Sequence, residues 1–135
     1  MPGFDTIRIG DKATVEKSIT EEDVRVFARV SGDTNPVHLD EDYAKGTIFR
    51  GRVAHGMLTA AIISTVLGTK LPGPGTIYLH QTLKFLAPVR LGDTVVAEVE
   101  VLEREPERRR IRLATRCRVR DKVVLDGEAL VQVPV

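Results

Sequence analysis

A chain of 135 residues, 42% hydrophobic and 29% charged, has the size and balance of a globular domain that holds its core without staples. Its 20 basic and 19 acidic side chains leave a formal net charge of +1, so no overall field draws in nucleic acid or an anionic membrane. A single cysteine, Cys117, excludes an intrachain disulfide, an aromatic content of 4% without Trp argues against base stacking, and the apolar-rich stretch 56–67 is too short to cross a bilayer.

The opening Met1-Pro2-Gly3-Phe4-Asp5 lacks the basic start and apolar run of a secretory leader, which with the lone cysteine points to a cytoplasmic protein. No repeat, low-complexity tract or linker-like stretch divides the sequence, so residues 1–135 are expected to form one domain. Residues 13–19 alternate loosely and predict a first strand. Thr20-Glu21-Glu22-Asp23 is a helix start: Thr20 can cap the free amides, and the three acids complement the positive end of the helix. Val24, Phe27, Ala28 and Val30 give that helix its buried side, and Ser31-Gly32 stops it. Residues 33–39 are expected to form a loop, because Pro36 forbids a helix interior and pushes Asn35 toward an extended conformation. A short turn or helix follows at 40–45, then a loop carrying Gly46, Gly51 and Arg52.

Residues 55–67 differ in kind. Met57, Leu58, Ala60, Ala61, Ile62, Ile63, Val66 and Leu67 point in almost every direction around a helix, which predicts burial nearly all round. Gly68 is expected to end it, with a turn-rich connection at 71–75. The remainder predicts strands: one over 76–85, a turn at Gly92-Asp93, then Val95, Ala97, Val99 and Val101 on one face against Glu98 and Glu100 on the other. Ile111, Leu113, Thr115, Cys117 and Val119 alternate with Arg110, Arg112, Arg116, Arg118 and Arg120, the pattern of a sheet with one wet face. Glu98, Glu100, Glu103 and Glu105 can neutralise those arginines, so the basic run is a solvated sheet face and not a nucleic-acid surface. Arg120-Asp121-Lys122 predicts a hairpin turn before a last strand at 123–133. Helices followed by a long antiparallel meander give an α+β fold, a sheet with one apolar face and one apolar helix to cover it.

The segment richest in chemistry is Ser31-Gly32-Asp33-Thr34-Asn35-Pro36-Val37-His38. A carboxylate and an imidazole stand either side of an Asn-Pro turn that allows few shapes, and such a pair can cradle a water, one member taking a proton while the other gives one. A second segment, Arg52-Val53-Ala54-His55-Gly56-Met57-Leu58, opens the apolar helix. Helix-start amides are unpaired and partly positive, and Gly56 lets a ligand approach them. The His55 side chain is expected to be structural. Ser64, on the same helix, either bonds back to its own backbone or faces something polar in a cavity. His38, His55 and His80 have no metal-motif spacing.

Together these segments resemble the MaoC-like (R)-specific enoyl-CoA hydratases, which have the hot-dog fold. The likeness continues at 71–78 and at Phe85-Leu86-Ala87-Pro88-Val89-Arg90-Leu91-Gly92-Asp93, in the expected order along nearly the whole chain. The resemblance implies a curved antiparallel sheet wrapped around a buried helix. It implies that Asp33 and His38 hold a catalytic water, with either as the base. It implies that the Gly56 amide binds the thioester oxygen, with Ser64 and Asn35 completing the oxyanion and substrate-binding group. The substrate would be an acyl-CoA thioester, with no metal or redox cofactor, and the working unit a homodimer with no nucleic-acid or membrane partner. Arg50, Arg52, Lys70, Lys84 and Arg90 are the cations available for coenzyme A phosphates, none of them singled out by the sequence. An acyl-CoA thioesterase and a non-catalytic acyl-CoA-binding protein are the alternatives. The first needs water aimed at the carbonyl carbon, and the second has no use for both Asp33 and His38.

Overall fold

The computed structural model describes residues 3–135. After a 3-10 turn at Phe4–Thr6, the elements in chain order are β1 (Lys12–Ser18), α1 (Glu21–Ser31), α2 (Pro36–Leu39), α3 (Glu41–Lys45), α4 (Gly56–Thr69), β2 (Ile77–Gln81), β3 (Lys84–Phe85), β4 (Thr94–Glu105), β5 (Arg110–Val119) and β6 (Lys122–Gln132). The strands form one antiparallel sheet in the order β1-β4-β5-β6-β2, with β3 also on β6. This is the hot-dog arrangement, an α+β fold in which α4 lies against β1, β4 and β5.

Alternation makes the core. Val95, Ala97, Val99 and Val101 of β4, with Ile111, Leu113, Thr115 and Cys117 of β5, are all at most 1% exposed. From the helix side Thr59, Ala60, Ile62, Ile63, Val66 and Leu67 meet them. Burying a side chain such as Ile63 or Leu67 contributes about 1.5–3 kcal/mol. On the opposite face of the sheet Glu98 pairs with Arg116 and Arg118, and Arg112 pairs with Glu103 and Glu128, so the arginine ladder is balanced by acids as its alternation predicts. The hairpin between β5 and β6 turns on Arg120 and Asp121, both at positive φ (47° and 68°), the primed geometry whose twist matches the strands.

Five expectations are corrected. Val30 is not on the buried side of α1: it is 80% exposed, while Val24 and Ala28 are buried. Residues 36–39 are not a loop: Pro36 sits at the first helical position, where it lacks only a hydrogen bond that no helix start makes, and Asn35 caps the turn. Gly68 does not end α4, which runs to Thr69 and closes at Lys70. The single strand expected over 76–85 is broken at Thr82-Leu83. There the chain crosses Gly127 of β6 so closely that a Cβ would stand 1.8 Å from the Thr82 carbonyl oxygen. Finally, α4 is not buried all round: Met57, Ala61, Ser64 and Thr65 form an outward stripe, with Met57 56% exposed.

Candidate active site

The site starts from the two ends of α1. At its start Thr20 and Asp23 form a reciprocal cap, the Thr20 hydroxyl accepting from the Asp23 amide at 3.0 Å and the Asp23 carboxylate from the Thr20 amide at 2.9 Å. At its end Gly32 takes the left-handed conformation (φ 79°) that turns the chain into the Asp33 loop. That loop is braced by its own side chains. Ser31 Oγ accepts from the Asp33 amide at 3.1 Å, Asp33 Oδ1 from the Asn35 amide at 3.2 Å, and Asn35 Oδ1 from the Val37 amide at 3.2 Å.

His38 follows on α2 and is buried, with Nδ1 2.7 Å from the Val53 carbonyl oxygen. A carbonyl only accepts, so Nδ1 carries the hydrogen and the neutral ring presents a bare Nε2. Burial pushes the His38 pKa below the ordinary imidazole value and neighbouring His55 acts in the same direction, against the Val53 bond and the Asp33 charge. The ligand-type atoms of Asp33, His38 and His55 lie within 4.8 Å of one another. One water can bridge two atoms at that spacing with bonds of about 2.8 Å. As metal ligands the trio fits poorly. His38 Nδ1 and His55 Nε2 already face carbonyls, and the two rings stack with centroids 3.8 Å apart at 29°, so their remaining lone pairs lie in near-parallel planes, a poor match to tetrahedral ligation.

The third component is the start of α4. His55 is its N-cap residue but makes no side-chain cap, so the Leu58 amide turns back to the His55 carbonyl at 3.1 Å and the Gly56 amide is left without a side-chain partner. Gly56 lines the same cavity as Asp33, His38 and His55, a space of about 570 Å³ walled by Phe49, Val53, Met57, Phe85, Leu86 and Leu125. That size and apolar lining, with a few polar groups on one wall, suit a small-molecule ligand. Phe85 packs so tightly over Gly56 that a Cβ there would stand 2.7 Å from its Cε1.

The model of the MaoC-like domain family matches residues 7–123. The chain belongs to the MaoC-like family. It is 54% identical over 131 residues to an (R)-specific enoyl-CoA hydratase of Rhodospirillum rubrum, covering 97% of this chain and 91% of the relative. It is 56% identical over 131 residues to a 3-hydroxybutyryl-CoA dehydratase of Methylorubrum extorquens, covering 97% of this chain and 83% of that one. Among solved structures it resembles the unliganded R-hydratase of Pseudomonas aeruginosa with a TM-score of 0.93 and 52% identity, over 98% of this chain and 85% of the other.

Within this MaoC-like site the structure brings Asp33, His38 and Gly56 into one cavity, and it does not bring Ser64 or Asn35 there. Ser64 is exposed on the outward stripe of α4, about 12 Å along the axis from Gly56 at a helical rise of about 1.5 Å per residue. Asn35 spends its side-chain oxygen on the Val37 amide and shapes the loop. Three of the cations expected near the mouth hold internal bonds: Arg52 donates to the His38 carbonyl at 2.7 Å and pairs with Glu21 at 2.6 Å, Arg90 donates to Gly51 at 3.3 Å, and Lys70 to Thr14 at 2.8 Å. The sequence did not point to Phe49, Phe85 or Leu125 as cavity walls, nor to buried Thr59 on its floor, because each reaches the site from a different element. Among the described residues no helix is long and apolar enough to cross a membrane.

Proposed function

We propose that this chain catalyses the reversible hydration of a trans-2-enoyl-CoA to the (3R)-hydroxyacyl-CoA, with Asp33 and His38 as its acid–base pair. The observation that carries the reading is a ligand-type atom of His38 within 4.8 Å of one of the Asp33 carboxylate, on a ring whose Nδ1 is engaged by the Val53 carbonyl, in a cavity that also holds the start of α4. The kinship with hydratases and dehydratases over nearly the full chain supports the same chemistry. His38 Nε2 takes a proton from the water while Asp33 accepts its other hydrogen and aims the oxygen at C3. The C3–O bond forms, charge moves to the thioester oxygen as an enolate, and the imidazolium returns the proton to C2. The Gly56 amide faces that oxygen, a kind of donor worth about 10²–10³ in rate. Water, the thioester and these side chains complete the atom balance, and the proposed reaction assigns no step to a metal or redox cofactor. Incubation with crotonyl-CoA followed by chiral analysis is the test. Loss of enoyl absorbance with a (3R) product is expected, and a (3S) product, or thiol release in place of hydration, overturns the reading.

We propose further that the working unit is a homodimer, in the cytoplasm. Strand β2 closes the sheet order with one side unpaired, and it exposes Ile77, Tyr78 and Leu79 to 48%, 41% and 40%. Exposed strand edges of this apolar kind call for pairing or cover. Met57 on α4, Phe85 of β3 and Leu86 after it are also more than half exposed in the single chain, and a second copy would cover apolar surface of this kind. The lone, buried Cys117, its pKa pushed up to about 12 by burial, fits a reducing compartment. Light scattering at micromolar concentration is expected to give twice the chain mass, and a stable, active monomer counts against the dimer.

A further inference from the structure

We infer that His55 is a positioning residue of this reaction, holding Asp33 and His38 at one separation and tying both to the helix that carries Gly56. The inference rests on the dyad reading above. His55 is 2% exposed and makes two contacts with the pair. Its Nε2 lies 3.0 Å from the Asp33 carbonyl oxygen, so in the neutral ring Nε2 carries the hydrogen and donates to the loop. Its face stacks on His38, with centroids 3.8 Å apart, while Phe27 of α1 stands against it at 4.8 Å and 53°. His38 is thereby held in its plane by the stack and along its edge by the Val53 carbonyl. As the N-cap residue of α4, His55 is also bonded covalently to Gly56, so one ring fixes the water-holding pair relative to the amide that faces the thioester oxygen.

A histidine that only filled space would not need its donor aimed at the catalytic loop. Each contact can be removed separately. His55→Phe keeps a ring for the stack and deletes the donor, whereas His55→Gln keeps a donor near the Nε2 position and deletes the ring. Both variants are expected to lower kcat by about ten- to a hundred-fold with KM little changed, the loss that follows when catalytic groups are misplaced by about 1 Å while substrate is held elsewhere. In the unmodified protein, ¹⁵N NMR is expected to find the hydrogen of neutral His55 on Nε2, a measurement that depends on no variant folding. Hydrogen on Nδ1, folded variants with unaltered kcat, or a rise in KM alone would overturn the inference. Asp33→Asn run alongside separates the two claims. If that variant keeps full turnover, the dyad reading fails; if it is inactive while both His55 variants are active, only the role of His55 fails.

Discussion

Asp33→Asn and His38→Asn are each expected to lower kcat by about two to four powers of ten while KM and melting temperature stay close to those of the unmodified protein. Both substitutions are chosen on the geometry. Asparagine at 33 keeps an oxygen for the Asn35 amide and so keeps the loop, but cannot carry the carboxylate charge that orients the water. Asparagine at 38 keeps a donor near the position of Nδ1 for the Val53 carbonyl, but offers no lone pair in place of Nε2. The double variant should cost little more than the worse single one, because groups acting on one water are far from additive. The pH profile supplies a second readout. His38 works as a base only when neutral, which holds above its pKa, and that pKa lies below the ordinary value of 6.5. The acid-side midpoint of hydration at saturating enoyl-CoA is therefore expected below pH 6.5, and the residual activity of His38→Asn should lack that decline. If Asp33 and His38 only shaped a turn, the variants would melt earlier with turnover per folded molecule intact.

What the sequence discloses and what it hides divide along range. The capped start of α1, the alternation of β4 and β5 and the Arg120-Asp121 hairpin are written in neighbouring residues, and the structure has them where expected. Pro36 was ambiguous because the same ring that breaks a helix interior also opens a helix, and only the cap from Asn35 decides between them. The break at Thr82 has its cause in Gly127 on another strand. The outward stripe of α4 was missed because an all-apolar helix looks the same whether its own sheet or a second chain covers it. For the site, the loop residues Asp33 and His38 were legible as a motif. The His55 contacts were not, since its bond to Asp33 spans 22 residues and its stacking partner lies on a different helix. Ser64 shows the converse: the residues alone left its hydroxyl either bonded back to the helix or facing a cavity, the family resemblance put it in the site, and the helical phase turns it outward in the single chain.

Gly56→Val is expected to fold, with kcat lower by about 10²–10³, a loss larger than any accompanying fall in melting temperature accounts for. The backbone of Gly56 is ordinary helix start, so a side chain brings no left-handed strain, and replacing glycine where the fold permits it tends to stabilise slightly. The obstacle is local. A Cβ at this position meets the Phe85 ring at 2.7 and 2.8 Å, so the ring must turn aside before the variant can pack. What remains is a valine between the first amide of α4 and the cavity, which denies the thioester oxygen its approach. Displacing Phe85 also remodels the cavity wall, so the loss has two sources that a single variant mixes. Gly56→Ala combined with Phe85→Ala removes the clash and leaves only the methyl at the helix start. If turnover in that double variant stays as low as in Gly56→Ala alone, access to the amide is what the glycine protects. Recovery to near the level of Phe85→Ala would instead make Gly56 a packing requirement of the Phe85 ring and remove the amide from the mechanism.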